Sequence, residues 1–196
     1  AFDADIDMHV DETDDPEART LEILAEQTIA NGWEGRVTAG HTCALAAYPD
    51  EYAARVIAKV KAAGLHMITN PATNLMLQGR LDAEPKRRGI TRVKELLAAG
   101  INVGFGQDCI RDTFYPFGRG DLLEVAFLTA HAAHMSMPAE VEQVFAMPTV
   151  NAAKVLRVDG YALAPGAPAD LVILEAGSAL EAIHQQAARR WVIKAG

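Results

Sequence analysis

Apolar and polar residues alternate through ADIDMHV (residues 4–10), and a period of two predicts a strand there. Pro16, beside Asp14 and Asp15, supplies a helix start, and Leu21, Leu24, Ala25, Thr28 and Ile29 then recur at helical spacing until Gly32 ends the run. GRVTAGH (35–41) reads as a second strand; Tyr52, Val56, Val60 and Ala63 mark a second helix that Gly64 stops. LHMITN (65–70) and INVGFG (101–106) are two more β-rich segments. The helical stretch TRVKELLAAG lies between them, and another helix follows near 120–135.

The four strand starts recur at intervals of roughly 30–36 residues, the length of a strand, a crossover helix and two loops. Four βα units in a row, joined by consecutive right-handed crossovers, build a parallel sheet, so the fold class is α/β. Four units alone leave open whether the sheet is closed. A full (β/α)8 barrel takes about 250 residues, so a barrel reading makes this chain half of one, with an unpaired parallel edge on each side. Beyond residue 135 the pattern changes. MPTVNAAKVL reads as one more helix, then GYALAPGAPADLVILEAG is punctuated by Gly and Pro around a strand at 170–174, and RRWVIKAG closes as a strand. A boundary is placed near 158, giving a half-barrel over 1–158 and a small β-rich part over 159–196.

Composition narrows the class. Half of the 196 residues are hydrophobic, enough for a sizeable core. A formal net charge of −8 repels phosphate backbones and anionic lipid, which points away from nucleic acid and membrane and towards a neutral or cationic small molecule. No run reaches the roughly 18 apolar residues of a membrane span, AFDADIDM is too acidic for a signal peptide, and Cys43 and Cys109 form no CxxC. A cytoplasmic protein with reduced thiols is expected. The chain opens in a strand-like segment without an initiator methionine and reads as the later part of something longer.

Ligands in parallel α/β folds sit at the carboxyl ends of strands. Those ends carry His9 with Glu12, His41, Asn70 with Asn74, and Asp108. Each has an ordinary alternative: a structural histidine, acids that cap the next helix, a turn asparagine before Pro71, a loop aspartate. Taken together at one end of one sheet they suit a divalent metal such as Zn²⁺ or Fe(II), since imidazole and carboxylate are its ligands, with His41 to orient water and Glu12 to carry a proton. His9 and Asp108 alone are fewer than the three protein ligands a catalytic metal ordinarily takes. His131 and His134 on an alanine-rich helix read as surface or packing residues. The basic run PKRRG (85–89) reads as a solvated loop or interface, with a phosphate grip as the alternative.

HVDETDD (9–15), RVTAGHT (36–42), the long block from Asn70 to Asp108 and YPFG (115–118) resemble bacterial cytosine deaminase and its relatives in the amidohydrolase superfamily; PGAPADLVIL (165–174) follows more weakly. The resemblance implies a metal-dependent (β/α)8 TIM barrel whose fifth to eighth strands are the four read here, with the tail contributing to a small β-sandwich. It makes His9 a metal ligand, Glu12 the proton shuttle, His41 the histidine that positions the attacking water, and Asp108 a metal ligand and base. The implied reaction is hydrolytic deamination of a small nitrogen heterocycle through a metal-bound hydroxide, by an enzyme expected to form homo-oligomers. Cys109 and Phe114 stand where the family has a second acid and a tryptophan, so as substrate-binding positions they leave cytosine, creatinine, isoguanine or a triazine ring open. The family's His-x-His pair belongs to an N-terminal half outside this sequence. An amidohydrolase cutting an N-alkyl or ring amide bond, or a catalytically inactive binding protein, are the alternative readings.

Overall fold

A computed structural model describes residues 2–196. Four strands, β1 (Ile6–Val10), β2 (Val37–His41), β3 (His66–Thr69) and β4 (Val103–Phe105), form one parallel sheet in sequential order. Their register sets His9 beside Gly40 and Val10 beside His41. Helices α1 (Thr20–Ala30), α2 (Ala44–Ala47) and α3 (Asp50–Ala62) fill the first two crossovers. On α3 the inward stripe is Ala53, Val56, Ile57 and Val60, and Gly64 at φ +60° takes the left-handed turn that ends the helix region.

Three expectations shift in detail. The first helix begins at Thr20, not at Pro16, because Ala18 N–H bonds Asp15 O and closes a turn there. Residues 71–77, for which the pattern predicts no element, form α4 (Pro71–Leu77), with Pro71 preset at the first helical position. The next crossover helix, α5 (Val93–Ala98), is followed after β4 by α6 (Leu122–Ala132) and α7 (Pro138–Ala146). MPTVNAAKVL is not one regular helix: Met147–Asn151 is a π-turn and α8 runs over Ala152–Val155, Pro148 lacking the N–H that a regular ladder needs.

That π-turn has a consequence for the sheet. Asn151 donates from Nδ2 to the Val103 carbonyl at 2.8 Å, and Asn102 Nδ2 donates to Asn151 O at 3.0 Å. One carbonyl on the outer edge of β4, expected to be bare, thereby has a partner, while no further strand pairs there among the described residues. β1 likewise pairs only with β2 among the described residues; four of its five positions are exposed, and Ile6 and Met8 are 40% and 41% exposed. β2 is buried throughout, as strands of parallel sheets ordinarily are.

The tail supplies β5 (Leu171–Leu174) and β6 (Arg189–Ile193), an antiparallel pair, with α9 (Ala179–Gln185) between them. Ala179, Ala182 and Ile183 of α9 join the same apolar core as Leu123, Val141 and Val144 of α6 and α7. No helix among the described residues is long and apolar enough to cross a membrane.

Candidate metal centre at the carboxyl end of the sheet

The loops leaving the carboxyl ends of β1, β2, β3 and β4 carry the candidate residues, and their backbone is unusual. Asp11, His41, Thr42 and Asp108 all take positive φ, between +46° and +68°. For residues with a Cβ this costs of order 1 kcal/mol or more each and collects at functional sites. Thr42 is held there by Thr91, whose hydroxyl lies 2.8 Å from its own.

The acids after β1 divide by role. Asp11 accepts from the amides of Thr20 and Leu21 at 3.0 and 2.8 Å and so caps α1. Asp14 is buried against Arg87, and Asp15 accepts from the Glu17 amide. Glu12 does none of this. Its carboxylate faces the histidines, with Oε1 3.4 Å from His41 Nδ1 and Oε2 3.9 Å from His9 Nδ1.

His9, Glu12 and His41 offer three ligand atoms that all lie within 4.8 Å of one another. His9 and Glu12 are exposed, while His41 is fully buried, its Nε2 3.1 Å from His9 Nδ1. Asn74 sets the His41 ring, its Nδ2 lying 3.0 Å from Nδ1; Asn70 Nδ2 lies 3.3 Å from Nε2. Burial pushes the His41 pKa down and His9 adds to that; the Glu12 and Asp108 carboxylates and the Asn74 hydrogen bond pull up without restoring it. Asp108 is exposed at the end of β4, near enough to act on His41 by charge and outside the three-residue cluster.

Imidazole and carboxylate are the donor types of a borderline divalent cation, so His9 and the acids gathered around it fit a metal. The two asparagines bond the buried His41 ring beside it and fix that ring's orientation.

The other predicted residues fall around this cluster. Cys109 is half-buried, with its amide 3.4 Å from Thr73 Oγ1 and its thiol pushed up by burial. Phe114 is 56% exposed and lines a separate cavity with part of the basic loop. Cys43 is buried and its thiol is pushed up to about 12, which makes it inert. His131 Nδ1 lies 2.7 Å from Phe127 O within its own helix, as a packing residue would. A larger cavity of about 780 Å³, between α6, the π-turn and β5, contains none of the candidate residues.

Fold and site together define the class: a parallel α/β protein with a candidate metal centre at the carboxyl end of its strands. The sequence pattern of the amidohydrolase family matches residues 1–196, and the chain belongs to that family. It is 37% identical over 194 residues to a pterin deaminase from Rhizobium rhizogenes, covering 98% of this chain and 44% of that protein. To N-isopropylammelide isopropyl amidohydrolase from a Pseudomonas species it is 32% identical over 196 residues, covering 100% of this chain and 45% of that protein. The crystal structure of 5-methylcytosine deaminase from Klebsiella pneumoniae, liganded with 5-fluorocytosine, superposes with a TM-score of 0.94 at 42% identity, covering 98% of this chain and 47% of that one. The chain thus spans about half the length of the proteins it matches.

Proposed function

We propose that this chain is the C-terminal half of a metal-dependent hydrolase that deaminates a small nitrogen heterocycle. In this reading residues 1–158 carry strands five to eight of a (β/α)8 barrel, and 159–196 are the C-terminal contribution to a small β-sandwich. The observation that carries it is the convergence of His9, Glu12 and His41 at the carboxyl end of a parallel sheet, with Asn74 fixing the buried ring. Similarity to two deaminases, one of a pterin and one of 5-methylcytosine, supports the substrate class. The cytoplasm and a homo-oligomeric state complete the proposal.

His9 and Asp108 would hold one divalent cation, Zn²⁺ or Fe(II), with further ligands from the upstream half. Such a cation supplies Lewis acidity and acidifies water that reaches it. The rest falls to the chain's own residues. His41 orients the incoming water by hydrogen bonding; as its oxygen adds to the amine-bearing ring carbon, Asp108 takes one of its protons and the C=N electron pair moves to the ring nitrogen, which takes a proton from Glu12. The Glu12 carboxylate then collects the remaining hydroxyl proton and delivers it to the exocyclic nitrogen, which leaves as ammonia while the ring carbon becomes a carbonyl. Cys109 and Phe114 border the ring.

Glu12→Gln in the full-length protein tests the assignment. Ammonia release is expected to fall by about 10²–10⁴-fold while bound metal, measured by elemental analysis, stays at the wild-type level. Loss of the metal would make Glu12 a ligand, and retained turnover would remove it from the chemistry. The kinship with an isopropyl amidohydrolase supports a second reading, cleavage of an exocyclic N-alkyl bond by the same residues. Release of an alkylamine in place of ammonia identifies it.

A further inference from the structure

The chain is acidic overall, yet residues 80–88 carry four cations, Arg80, Lys86, Arg87 and Arg88. Arg87 is neutralised: its Nε lies 2.8 Å from Asp82 and 3.6 Å from Asp14. None of the ion pairs among the described residues involves Arg80, Lys86 or Arg88. The nearby acids are occupied elsewhere. Asp82 holds Arg87, Glu84 accepts from the Lys86 amide at 3.2 Å, and Asp112 accepts from the amides of Phe114 and Tyr115 at 2.9 and 3.0 Å.

Arg80, Lys86 and Arg88 line a cavity of about 360 Å³ whose wall contains no carboxylate. Phe114 and Phe117 complete it, 56% and 67% exposed. It adjoins the candidate metal centre. Gln78, also in its wall, donates from Nε2 to the Glu12 carbonyl at 3.4 Å. Arg87 Nη1 donates to Asp14 O at 3.0 Å, tying the basic loop to the segment that carries Glu12. The loop is also folded hard onto α4's end: a Cβ on Gly79, at φ +66°, would stand 1.8 Å from Arg87 O. A held loop, three uncommitted cations and two exposed rings describe a site for a group that is both planar and negatively charged. The rings offer a planar group a face to stack on, and charge-assisted bonds to a carboxylate are about twice as strong as neutral ones.

We propose that this cavity is a subsite for a planar anionic substituent, a carboxylate, carried by the heterocyclic substrate. The proposal rests on the deaminase reading for the ring and adds a charge requirement beyond it. It also revises the expectation from net charge, since the local field here is positive in a chain of −8.

Titration calorimetry of the full-length protein with benzoate, its neutral isostere benzamide and inorganic phosphate tests the site without needing turnover. Benzoate is expected to bind at least tenfold more tightly than benzamide. In the combined variant Arg80→Gln, Lys86→Gln, Arg88→Gln the two should bind alike; these exposed side chains support no ion pair, and an unchanged melting temperature checks the fold. A preference for benzoate that survives the substitutions places it elsewhere and overturns the proposal, as does no preference in the wild type. Phosphate binding as tight as benzoate, with no displacement of benzoate by the ring substrate, would make this a site for a free anion and equally overturn the substrate subsite. Absence of deamination alongside a charge-dependent benzoate site would count against the reaction and not against the cavity.

Discussion

At the scale of single residues, His41 is the most constrained group in the site: fully buried, held at φ +68°, and contacted by His9, Glu12, Asn70 and Asn74. Asn74→Ala removes the 3.0 Å contact to Nδ1 and frees the ring to rotate. In the full-length enzyme a 10–100-fold fall in kcat/KM is expected, with metal content largely kept, the range typical of partners that orient a site's ligands. Unchanged kinetics would show that the ring is oriented by its other neighbours. The residue types were legible from sequence because His9, Glu12, His41 and Asp108 each stand where a strand ends. What could not be read is which acid does what. Asp11, Glu12, Asp14 and Asp15 are chemically similar, and only the loop's path assigns Asp11 to the α1 amides and leaves Glu12 facing the histidines.

Among the elements, the loop from Gly79 to Gly89 is the one whose shape depends on a single position. Gly79 combines a left-handed backbone with contact so close that any side chain meets the Arg87 backbone, and backbone cannot give as a flexible side chain would. Gly79→Ala is expected to cost about 2 kcal/mol or more and to expose Arg87 and Arg88 to trypsin, read as a lower melting temperature with faster cleavage in the loop. A variant as stable and as resistant as the wild type would mean the loop has another resting position. Strand and helix periods gave the four βα units directly, since buried stripes leave a clear period. They missed α4, where only Pro71 signals a start, and the π-turn, which departs from any regular spacing yet bonds the Val103 carbonyl of β4 through Asn151.

For the whole molecule, both β1 and β4 are edge strands of the sheet among the described residues. At β4 the Val103 carbonyl is bonded by Asn151, whereas β1 presents an unpaired parallel edge with Ile6 and Met8 two-fifths exposed. Such an edge is a template for another chain. These 196 residues made alone are expected to self-associate in sedimentation experiments, and Met8→Lys to reduce it; a strictly monomeric species at high concentration would show that the edge is protected. The parallel sheet was legible because the repeat of roughly 30–36 residues admits little else, but the bond to the Val103 carbonyl was not, since it depends on a side chain reaching across from residue 151. The account stands most directly on one measurement: ammonia released from cytosine, 5-methylcytosine, creatinine, isoguanine, pterin and a carboxylated pterin by the chain with Zn²⁺ or Fe²⁺, alone and within its full-length natural protein. Release from at least one ring by the full-length protein, lost on chelation and absent for the chain alone, is predicted. Silence of the metal-loaded full-length protein towards every ring, or release that Glu12→Gln leaves intact, would contradict it.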